Sequence, residues 1–351
     1  MVTRLSKMMN KGNLANNHPE IHNKIGVLVL NLGTPDGYGY FAVRKYLKEF
    51  LSDQRVIEVN PVVWKLILNF FILPFRPFAT GKKYQQIWMD DSNESPLKYY
   101  TKSSAKKLQE LVNKKHSDFI VDYAMRYGNP SIESKIHDLI KKGCKKIIFI
   151  PLYPQYCSAT TATICDEIYR ILKKIRWQPE VRIVGQYPDN KIYIKSLVSS
   201  IKNHIKTLDF KPDAILSSYH GIPKIYFEKG DPYSCFCHKT NRLFNEELKR
   251  QKVVIENHIS FQSRFGPKEW LRPYTADVLK ELVDKGVKNL IVITPGFASD
   301  CIETLEEVDM EYRDLFLELG GKNFSLVPCL NDSFNGIKLI NDLLEANLWK
   351  S

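Results

Sequence analysis

The residues best suited to chemistry are one histidine and a series of acids in the second half of the chain. His220 follows a strand-like run and precedes Gly-Ile-Pro, a turn that would project its imidazole into a cleft rather than into a core. Glu303, Glu307 and Glu311 are spaced i, i+4 and i+8 with Asp314 close by, so an α-helix would place them in one carboxylate row. Oxygen ligands at successive turns can pass a hard cation along. The row is therefore a candidate pathway for a divalent metal ion or for protons.

A structural role is the alternative for each of these groups. An imidazole at a strand end can bond a backbone group, and Asp300 and Glu303 can complement the positive N-terminus of a helix. Glu311 and Asp314 can be solvated acids. His220 and Glu303 are too few for a permanent metal cage, which normally has three or four ligands. They do suit a site that accepts a metal ion, passes it to a stronger chelator and takes up the displaced protons.

These residues must be positioned by an α/β framework. Short runs rich in β-branched residues alternate with amphipathic helical patterns, which is typical of parallel sheets flanked by helices. The predicted strands span 25–32, 118–126, 145–152, 181–187, 213–219, 258–264, 289–295 and 324–329. The clearest predicted helices span 97–116, 131–142, 159–175, 190–206, 239–251, 268–285, 302–320 and 334–346.

The same order of motifs occurs in both halves of the chain. Three pairs of positions align: Gly33 with Gly221, Arg126 with Arg264, and Gly143 with Gly286. We therefore predict two similar lobes, each a parallel sheet with helices on both faces, and a cleft at the carboxyl ends of the strands. In this alignment His220 takes the place of Leu32, and Glu303 takes that of Thr160. One wall of the cleft is then apolar and the other ionisable.

The lobes are predicted to follow each other along the chain. An N-terminal tail covers residues 1–23, the first lobe covers 24–155 and the second covers 156–330. A C-terminal helix within 331–351 is expected to cross back and pack on the first lobe.

Residues 60–78 form a conspicuously apolar segment within the first lobe. The segment is shorter than the ~20 apolar residues needed to cross a bilayer, and Lys65 and Asn69 interrupt it before Pro74. Two interpretations are open. It is either a buried core helix or an exposed apolar lip that touches a membrane surface or an apolar substrate, with Lys65 and Arg76 at the lipid boundary.

Composition narrows the classes of function. The 51 basic and 39 acidic side chains give a net charge of +12, which favours anionic lipids or ligands. The basic residues are scattered and no finger, zipper or RNA-binding signature accompanies them, so we expect no nucleic-acid partner. No dinucleotide, phosphate-loop or nucleophile-elbow motif occurs. Seven cysteines, an odd number without a secretory signal, favour free thiols in a reducing compartment.

Nine ordered sequence blocks, from about residue 24 to the C-terminus, resemble the ferrochelatase family. They include VLVLNLGTP, YQQIW, AMRYGNPSI, PLYPQY, SSYHGIP, FQSRFGPKEWLRPYT and PGFASDCIETLEE. The resemblance implies a two-lobed, class II chelatase-like fold and insertion of Fe²⁺ into protoporphyrin IX, with release of two protons. It also implies a place in haem synthesis, with the porphyrin and ferrous iron as substrates.

The resemblance further implies roles for particular residues. His220 and Glu303 would bind the metal ion and accept protons, and Glu307 would continue the acidic route. Residues 60–78 would form the apolar lip over the porphyrin. Seven residues would lie at or near the porphyrin: Leu32, Arg126, Tyr127, Tyr153, Tyr156, Trp270 and Phe297.

The chain departs from the family pattern at two places. Many relatives carry a C-terminal cysteine cluster for a [2Fe-2S] centre, whereas only Cys329 lies near the end here, so we expect no such cluster and no permanent cofactor. Cys301 stands where some relatives have a histidine.

Three alternatives to protoporphyrin IX metallation stay open. They are coproporphyrin as the substrate, a non-catalytic tetrapyrrole-binding protein, and cobalt insertion into a sirohydrochlorin-type ring. The expected location is the cytoplasm, with peripheral contact at the inner face of a membrane if residues 60–78 meet lipid.

Overall fold

A computed structural model describes residues 22–349, so the predicted tail lies outside the described residues except for its last two positions. Within this range the strands are β1 (Lys24–Gly33), β2 (Phe119–Tyr127), β3 (Cys144–Pro151), β4 (Glu180–Ile183), β5 (Ala214–His220), β6 (Glu256–Gln262), β7 (Asn289–Ile293) and β8 (Asn323–Leu326). The α-helices are α1 (Tyr40–Leu51), α2 (Pro61–Ile67), α3 (Arg76–Ile87), α4 (Pro96–Val112), α5 (Ile132–Lys141), α6 (Thr163–Leu172), α7 (Lys191–Ile205), α8 (Lys224–Glu228), α9 (Tyr233–Arg250), α10 (Thr275–Asp284), α11 (Arg313–Glu318) and α12 (Phe334–Ala346). π-Helical segments occupy Leu68–Ile72, Ser158–Ala162 and Glu303–Tyr312.

The strands form two parallel sheets with one topology. The order is β2-β1-β3-β4 in the first sheet and β6-β5-β7-β8 in the second. The loop after the second strand also closes alike in both lobes, because Met125 donates its N–H to Pro130 O (2.7 Å) and Phe261 donates its N–H to Pro273 O (2.8 Å). The predicted α/β fold with two similar lobes is confirmed. The residue boundaries of the lobes stay a prediction.

The ladder registers correct one of the three aligned pairs. Arg126 lies beside Leu32 in the β1–β2 ladder, which is in register on either side of it. His220 pairs with Gln262 in the β5–β6 ladder. Because Leu32 and His220 are equivalent, the counterpart of Arg126 is Gln262. The expected counterpart, Arg264, is wrong: it lies beyond the end of β6, in a loop longer than the one that follows β2.

A shared apolar core joins the two sheets. Val27 and Val29 of β1 and Ile291 and Ile293 of β7 belong to it, together with residues of α4, α7, α9 and α12. Since successive strand residues point to opposite faces, the other face of each sheet packs separately, on α5 and α6 in the first lobe and on α10 and α11 in the second. Helix α12 contacts α4 and β3 of the first sheet as well as α7.

Residues 60–78, hereafter the lip, fold into a bent and largely exposed helical segment. Asn60 caps α2 by accepting two backbone N–H groups of its first turn, and Leu68 and Leu73 anchor the lip in a small cluster with α1. Eight of its apolar side chains are exposed: Val62, Val63, Leu66, Ile67, Phe70, Phe71, Phe75 and Phe78. The buried-core interpretation is therefore wrong.

The lip does not form a straight membrane span. Within residues 22–349, no single helix has the length and apolar character needed to cross a membrane. Pro61–Ile72 and Arg76–Ile87 meet that condition only as a pair, which is bent by 69°.

Candidate active site

His220 stands at the carboxyl end of β5 with one ring nitrogen already committed. Its Nδ1 lies 2.6 Å from the carbonyl oxygen of Gly221, and since a carbonyl only accepts, Nδ1 carries the proton. In the neutral ring Nε2 then keeps a lone pair for a metal ion or a proton. The ring centroid is 6.5 Å from that of Trp270. A Cβ on residue 221 would lie 2.8 Å from Gln262 O and 3.2 Å from Trp270, so this close approach requires glycine.

Glu303 begins the π-helix that follows β7, and Gln262 connects it to His220. The Nε2 amide of Gln262 donates to the backbone oxygen of Glu303 at 2.9 Å. Gln262 is also the ladder partner of His220 and accepts the Gly221 N–H at 2.8 Å. Gln262 thus ties the strand end that carries the imidazole, through its backbone, to the helix start that carries the carboxylate, through its side-chain amide.

The Glu303 carboxylate faces phenols of the first lobe. Burial raises the pKa values of Tyr46, Tyr84 and Tyr153, and the negative charge of Glu303 contributes to the rise in all three. Burial and the same carboxylate also raise the pKa of the Cys301 thiol. Helix α3 of the first lobe contacts the π-helix that begins at Glu303, so this carboxylate lies at a junction of the two lobes.

Glu307 is held by a dense set of donors. Its carboxylate accepts from the N–H and Oγ of Ser263 (2.7 and 2.5 Å), from Gln262 Nε2 (3.1 Å) and from the Tyr312 hydroxyl (3.2 Å). Ser263 has φ 64°, a left-handed conformation at the end of β6. Glu307 therefore fixes this loop to the π-helix and is a positioned acceptor. Glu311, farther along, bonds Lys83 of α3 at 2.7 Å.

Arg126 and Tyr127 converge on Asp53 in the first lobe. Arg126 Nη2 and the Tyr127 hydroxyl both donate to Asp53 Oδ2, at 2.6 and 2.9 Å. The Thr163 hydroxyl donates to the same oxygen at 2.5 Å, and Arg126 Nε donates to Thr163 O at 3.0 Å. Tyr127 has no exposed surface. Its ring supports Asp53 and, in this conformation, offers nothing to a ligand.

The other predicted porphyrin contacts are partly buried at strand ends. Tyr153 accepts the Leu32 N–H at 2.9 Å and so fixes the end of β1. Trp270 donates Nε1 to Phe265 O at 2.8 Å. Phe297 lies in the turn after β7, with its N–H on Thr294 O at 3.0 Å. These side chains line the same edge of the two sheets as His220.

Tyr156 lies near Asp231 and Arg55. Burial raises the pKa of its phenol and Asp231 adds to the rise, while the Arg55 charge opposes it. The backbone two residues on, at Ser158, bonds Asp231 at 2.7 Å. Tyr156 therefore belongs to a polar region beside the first π-helical turn.

Sequence reasoning missed four residues of this site. Tyr84 lies in the YQQIW block, so the family resemblance carried a signal for it, whereas Tyr46 shows only helical spacing. Gln262 lies in the FQSRFGP block but was passed over for Arg264, which has the more conspicuous side chain. Asp53 is an ordinary acid in a loop until its partners come from β2 and α6.

The described residues contain no ready-made metal cage. No group of three or more His, Cys, Asp or Glu side chains arranged to hold a metal ion occurs within residues 22–349. A cavity of ≈ 730 Å³ lies beside Asp53 and Arg126, with charges of both signs, and its lining includes neither His220 nor Glu303. The cavity therefore adjoins the candidate site at Asp53 and Arg126, while His220 and Glu303 lie outside its lining.

Sequence comparisons agree with this arrangement. The ferrochelatase family model matches residues 24–348. The chain is 51% identical to the ferrochelatase of Francisella tularensis subsp. novicida (strain U112) over 327 residues, which cover 93% of this chain and 97% of that protein. The ferrochelatase of Francisella tularensis subsp. holarctica (strain OSU18) is 50% identical over the same coverage.

Solved structures with low sequence identity share the fold. SirB from Bacillus subtilis with Fe³⁺ has a TM-score of 0.54 at 13% identity and covers 92% of this chain and 94% of its own. The sirohydrochlorin chelatase SirB from Bacillus subtilis subspecies spizizenii in complex with cobalt has a TM-score of 0.51 at 12% identity, with the same coverage. With the match over nearly the whole chain and the two-lobed architecture, this chain belongs to the ferrochelatase family of metal-inserting enzymes.

Proposed function

We propose that this chain inserts Fe²⁺ into protoporphyrin IX and releases the two pyrrole protons. The observation that carries the proposal is that Gln262 joins the strand end of His220 to the backbone of Glu303, where the π-helix contacts α3 of the first lobe. An imidazole with a free nitrogen and a carboxylate from one lobe then oppose the half-buried Leu32 at the strand end of the other.

The two walls have separate tasks in this proposal. The porphyrin lies against Leu32 and Phe297, under the lip. A pyrrole proton passes to Nε2 of His220, whose ring is fixed by its bond to Gly221 O. The Glu303 carboxylate supplies an oxygen ligand to the arriving Fe²⁺. Because a single carboxylate holds the ion weakly, the porphyrin nitrogens can take it over, and the second pyrrole proton then passes to the carboxylate that the ion has left.

Glu307 supports this exchange from the next turn of the π-helix. Its bonds to Ser263, Gln262 and Tyr312 fix its position. We propose that it continues the acidic route behind Glu303 as a fixed carboxylate. Arg126 would act from the rim of the first sheet, where its guanidinium is held by Asp53.

The lip favours protoporphyrin IX over coproporphyrin. A more carboxylated ring would have to place its extra charges against exposed Phe70, Phe71 and Phe75, and burying an unpaired carboxylate is costly. The vinyl groups of protoporphyrin suit this apolar surface.

The same surface supports peripheral membrane contact. Two basic residues, Lys65 and Arg76, flank the exposed phenylalanines of the lip, and the net charge of +12 favours an anionic leaflet. We propose a cytoplasmic enzyme that meets the inner face of a membrane, since all seven cysteines are free, as expected in a reducing compartment.

We also propose that the enzyme works without a resident cofactor. Within residues 22–349 no group of three or more His, Cys, Asp or Glu side chains is arranged to hold a metal centre, whereas an iron–sulfur cluster takes four ligands. Iron enters only as a substrate.

The test is an anaerobic metal-insertion assay with protoporphyrin IX and coproporphyrin side by side, run with wild type and Glu303→Gln across pH. We expect a haem spectrum with wild type, a higher kcat/KM for protoporphyrin IX, and a kcat lowered about 100-fold in Glu303→Gln. Tight porphyrin binding without insertion by wild type would instead indicate a tetrapyrrole-binding protein. If Glu303→Gln loses stability but keeps its turnover, Glu303 only stabilises the start of the helix and has no role in the reaction.

A further inference from the structure

A lysine of the first lobe bridges two acids of the π-helix that carries Glu303. Lys83 lies on α3, and its Nζ is 2.8 Å from Glu306 Oε1 and 2.7 Å from Glu311 Oε1. Glu306 is only 6% exposed, whereas Glu311 lies at the surface. The next residue on α3 is Tyr84, and α3 contacts the π-helix that begins at Glu303, whose negative charge contributes to the raised pKa of Tyr84. One helix of the first lobe therefore meets the π-helix at both its beginning and its outer turn.

The spacing of the two acids makes this bridge sensitive to the helical register. Glu306 and Glu311 are five residues apart, the separation that the i→i+5 bonds of a π-helix bring together. In an α-helix the neighbouring positions are three and four residues apart. A single ammonium that bonds both carboxylates therefore stabilises the wide helix over the α-helix that continues it as α11.

The charge balance of the segment gives Lys83 a second effect. Glu303, Glu306, Glu307 and Glu311 crowd into little more than two turns, and like charges at such spacings repel each other. Lys83 is the cation that the described residues bring to Glu306 and Glu311. Its single positive charge offsets one of the two outer negative charges, and no side chain within residues 22–349 forms an ion pair with Glu303 or Glu307.

We propose that Lys83 is a positioning residue for metal insertion: by bridging Glu306 and Glu311 it holds the π-helical register that presents Glu303 to the cleft. The inference rests on the proposed function, because it assigns Lys83 a task in the same reaction. Lys83 touches neither substrate in this role and acts only through the helix.

The decisive comparison uses Lys83→Met, Lys83→Arg and the neighbouring control Lys82→Met. Lys82 is exposed and forms no ion pair within residues 22–349. Steady-state anaerobic insertion gives kcat and KM for each variant, fluorescence quenching gives the Kd for protoporphyrin IX, and kcat is recorded across pH. We expect Lys83→Met to lower kcat about tenfold or more, to alter its pH profile, and to leave the porphyrin Kd within about twofold. We expect Lys83→Arg to restore most of kcat, since a guanidinium can also bridge two carboxylates, and Lys82→Met to match wild type.

Lys83→Met leaves the buried Glu306 carboxylate without its ion-pair partner, which could destabilise the fold. A double variant that also removes this carboxylate distinguishes a folding defect from a loss of positioning. In Lys83→Met/Glu306→Gln no buried unpaired carboxylate remains, so the melting temperature should return towards wild type while kcat stays low. Recovery of kcat together with stability would overturn the proposal, and so would a wild-type kcat and pH profile in Lys83→Met. If wild type itself inserts no metal, the proposed function fails first and the role of Lys83 falls with it. If wild type and Lys83→Met are equally active, the proposed function stands and only the positioning role of Lys83 is refuted.

Discussion

The two lobes share a scaffold and differ in what their equivalent positions carry. Both sheets have one strand order, and in both a π-helical turn follows the third strand. Ser158–Ala162 reads SATTA in the first lobe, whereas the second begins at Glu303 and is strongly acidic. Thr160, the predicted counterpart of Glu303, lies inside the first of these turns. The two lobes thus share equivalent positions, and only the second lobe has acidic residues in its π-helical segment.

A second difference lies in the hydrogen bond that connects β2 or β6 to the π-helical segment of the same lobe or to the residue that follows it. Arg126 reaches Thr163 O at 3.0 Å and needs Asp53 as a counter-ion. Gln262, at the equivalent ladder position, reaches Glu303 O at 2.9 Å with a neutral amide. A guanidinium there would neutralise the adjacent acids and repel Fe²⁺. Because the Gln262 amide carries no charge, it leaves the acids of the second lobe available to a cation.

The largest expected effect is on kcat, and it distinguishes His220 at the end of β5 from Leu32 at the end of β1. His220→Ala should lower kcat about 10²- to 10⁴-fold, the range for loss of a general base, and should leave the porphyrin Kd nearly unchanged. Leu32→Ala, at the equivalent position of β1, should raise the porphyrin Kd about tenfold through lost apolar contact and leave kcat nearly intact. Steady-state insertion kinetics and fluorescence titration measure both. Equal effects of the two variants on kcat would contradict the division of labour between the walls.

The lip gives the next largest difference, because it belongs to the first lobe alone. Between β1 and β2 the chain forms α1 to α4 with the lip, whereas α8 and α9 fill the equivalent interval between β5 and β6. Phe70→Ser/Phe71→Ser should weaken binding to anionic vesicles by about 2 to 3 kcal/mol, or roughly 30- to 150-fold. Phe334, 83% exposed on α12, provides the control Phe334→Ser. Vesicle co-sedimentation that is insensitive to both variants would place the membrane contact elsewhere or remove it.

A smaller effect is expected from removing the Gln262 amide that bonds Glu303 O. Gln262→Met keeps the shape of the side chain but loses the bonds to Glu303 O and Glu307, so kcat should fall about tenfold through misplacement of the helix start. Ser218→Ala removes only the hydroxyl that bonds the oxygen of the same amide at 2.8 Å. It should leave kcat within about twofold and cost about 1 kcal/mol in urea unfolding. If both variants lose stability and neither loses turnover, Gln262 is merely structural.

Local patterns in the sequence carried most of the fold. Each predicted strand overlaps an observed strand within a few residues, because β-branched runs and helical spacing are local signals. The order of motifs was enough to predict two lobes, since repeated units fold alike. For residues 60–78 the sequence supports two interpretations, because a hydrophobic run has the same composition whether it is buried or exposed. Its burial depends on what packs over it.

The parts of the site that could not be predicted depend on partners distant in sequence. The sequence spacing predicts an α-helix over 302–320, whereas Glu303–Tyr312 is a π-helix whose acids Glu306 and Glu311 pair with Lys83, more than 200 positions away. Tyr127 was placed at the porphyrin, yet its hydroxyl is drawn to Asp53, 74 positions earlier. Residue type and spacing identify candidate groups, and only the packed fold decides which of them face the cleft.

The smallest expected effect concerns the charged cluster that the first lobe has and the second lacks. Burial by itself would raise the pKa of Asp53, but hydrogen bonds from Thr163, the Arg55 N–H and Tyr127, together with the charge of Arg126, hold it below its usual value. A carboxyl whose pKa is lowered on folding stabilises the protein above its unfolded pKa of about 3.9. That contribution is lost as the pH falls through the lower, folded value.

Asp53→Asn should therefore cost about 1 to 3 kcal/mol at neutral pH and flatten the decline of stability below about pH 4. Urea unfolding at a series of pH values measures both quantities. Arg264→Ala is the control from the second lobe, where the guanidinium lies 4.8 Å over the Tyr274 ring and is worth about 0.5 to 1 kcal/mol without a pH-dependent part. A pH slope unchanged by Asp53→Asn would mean that the cluster adds no charge-dependent stability. The two lobes would then differ in chemistry at the cleft alone.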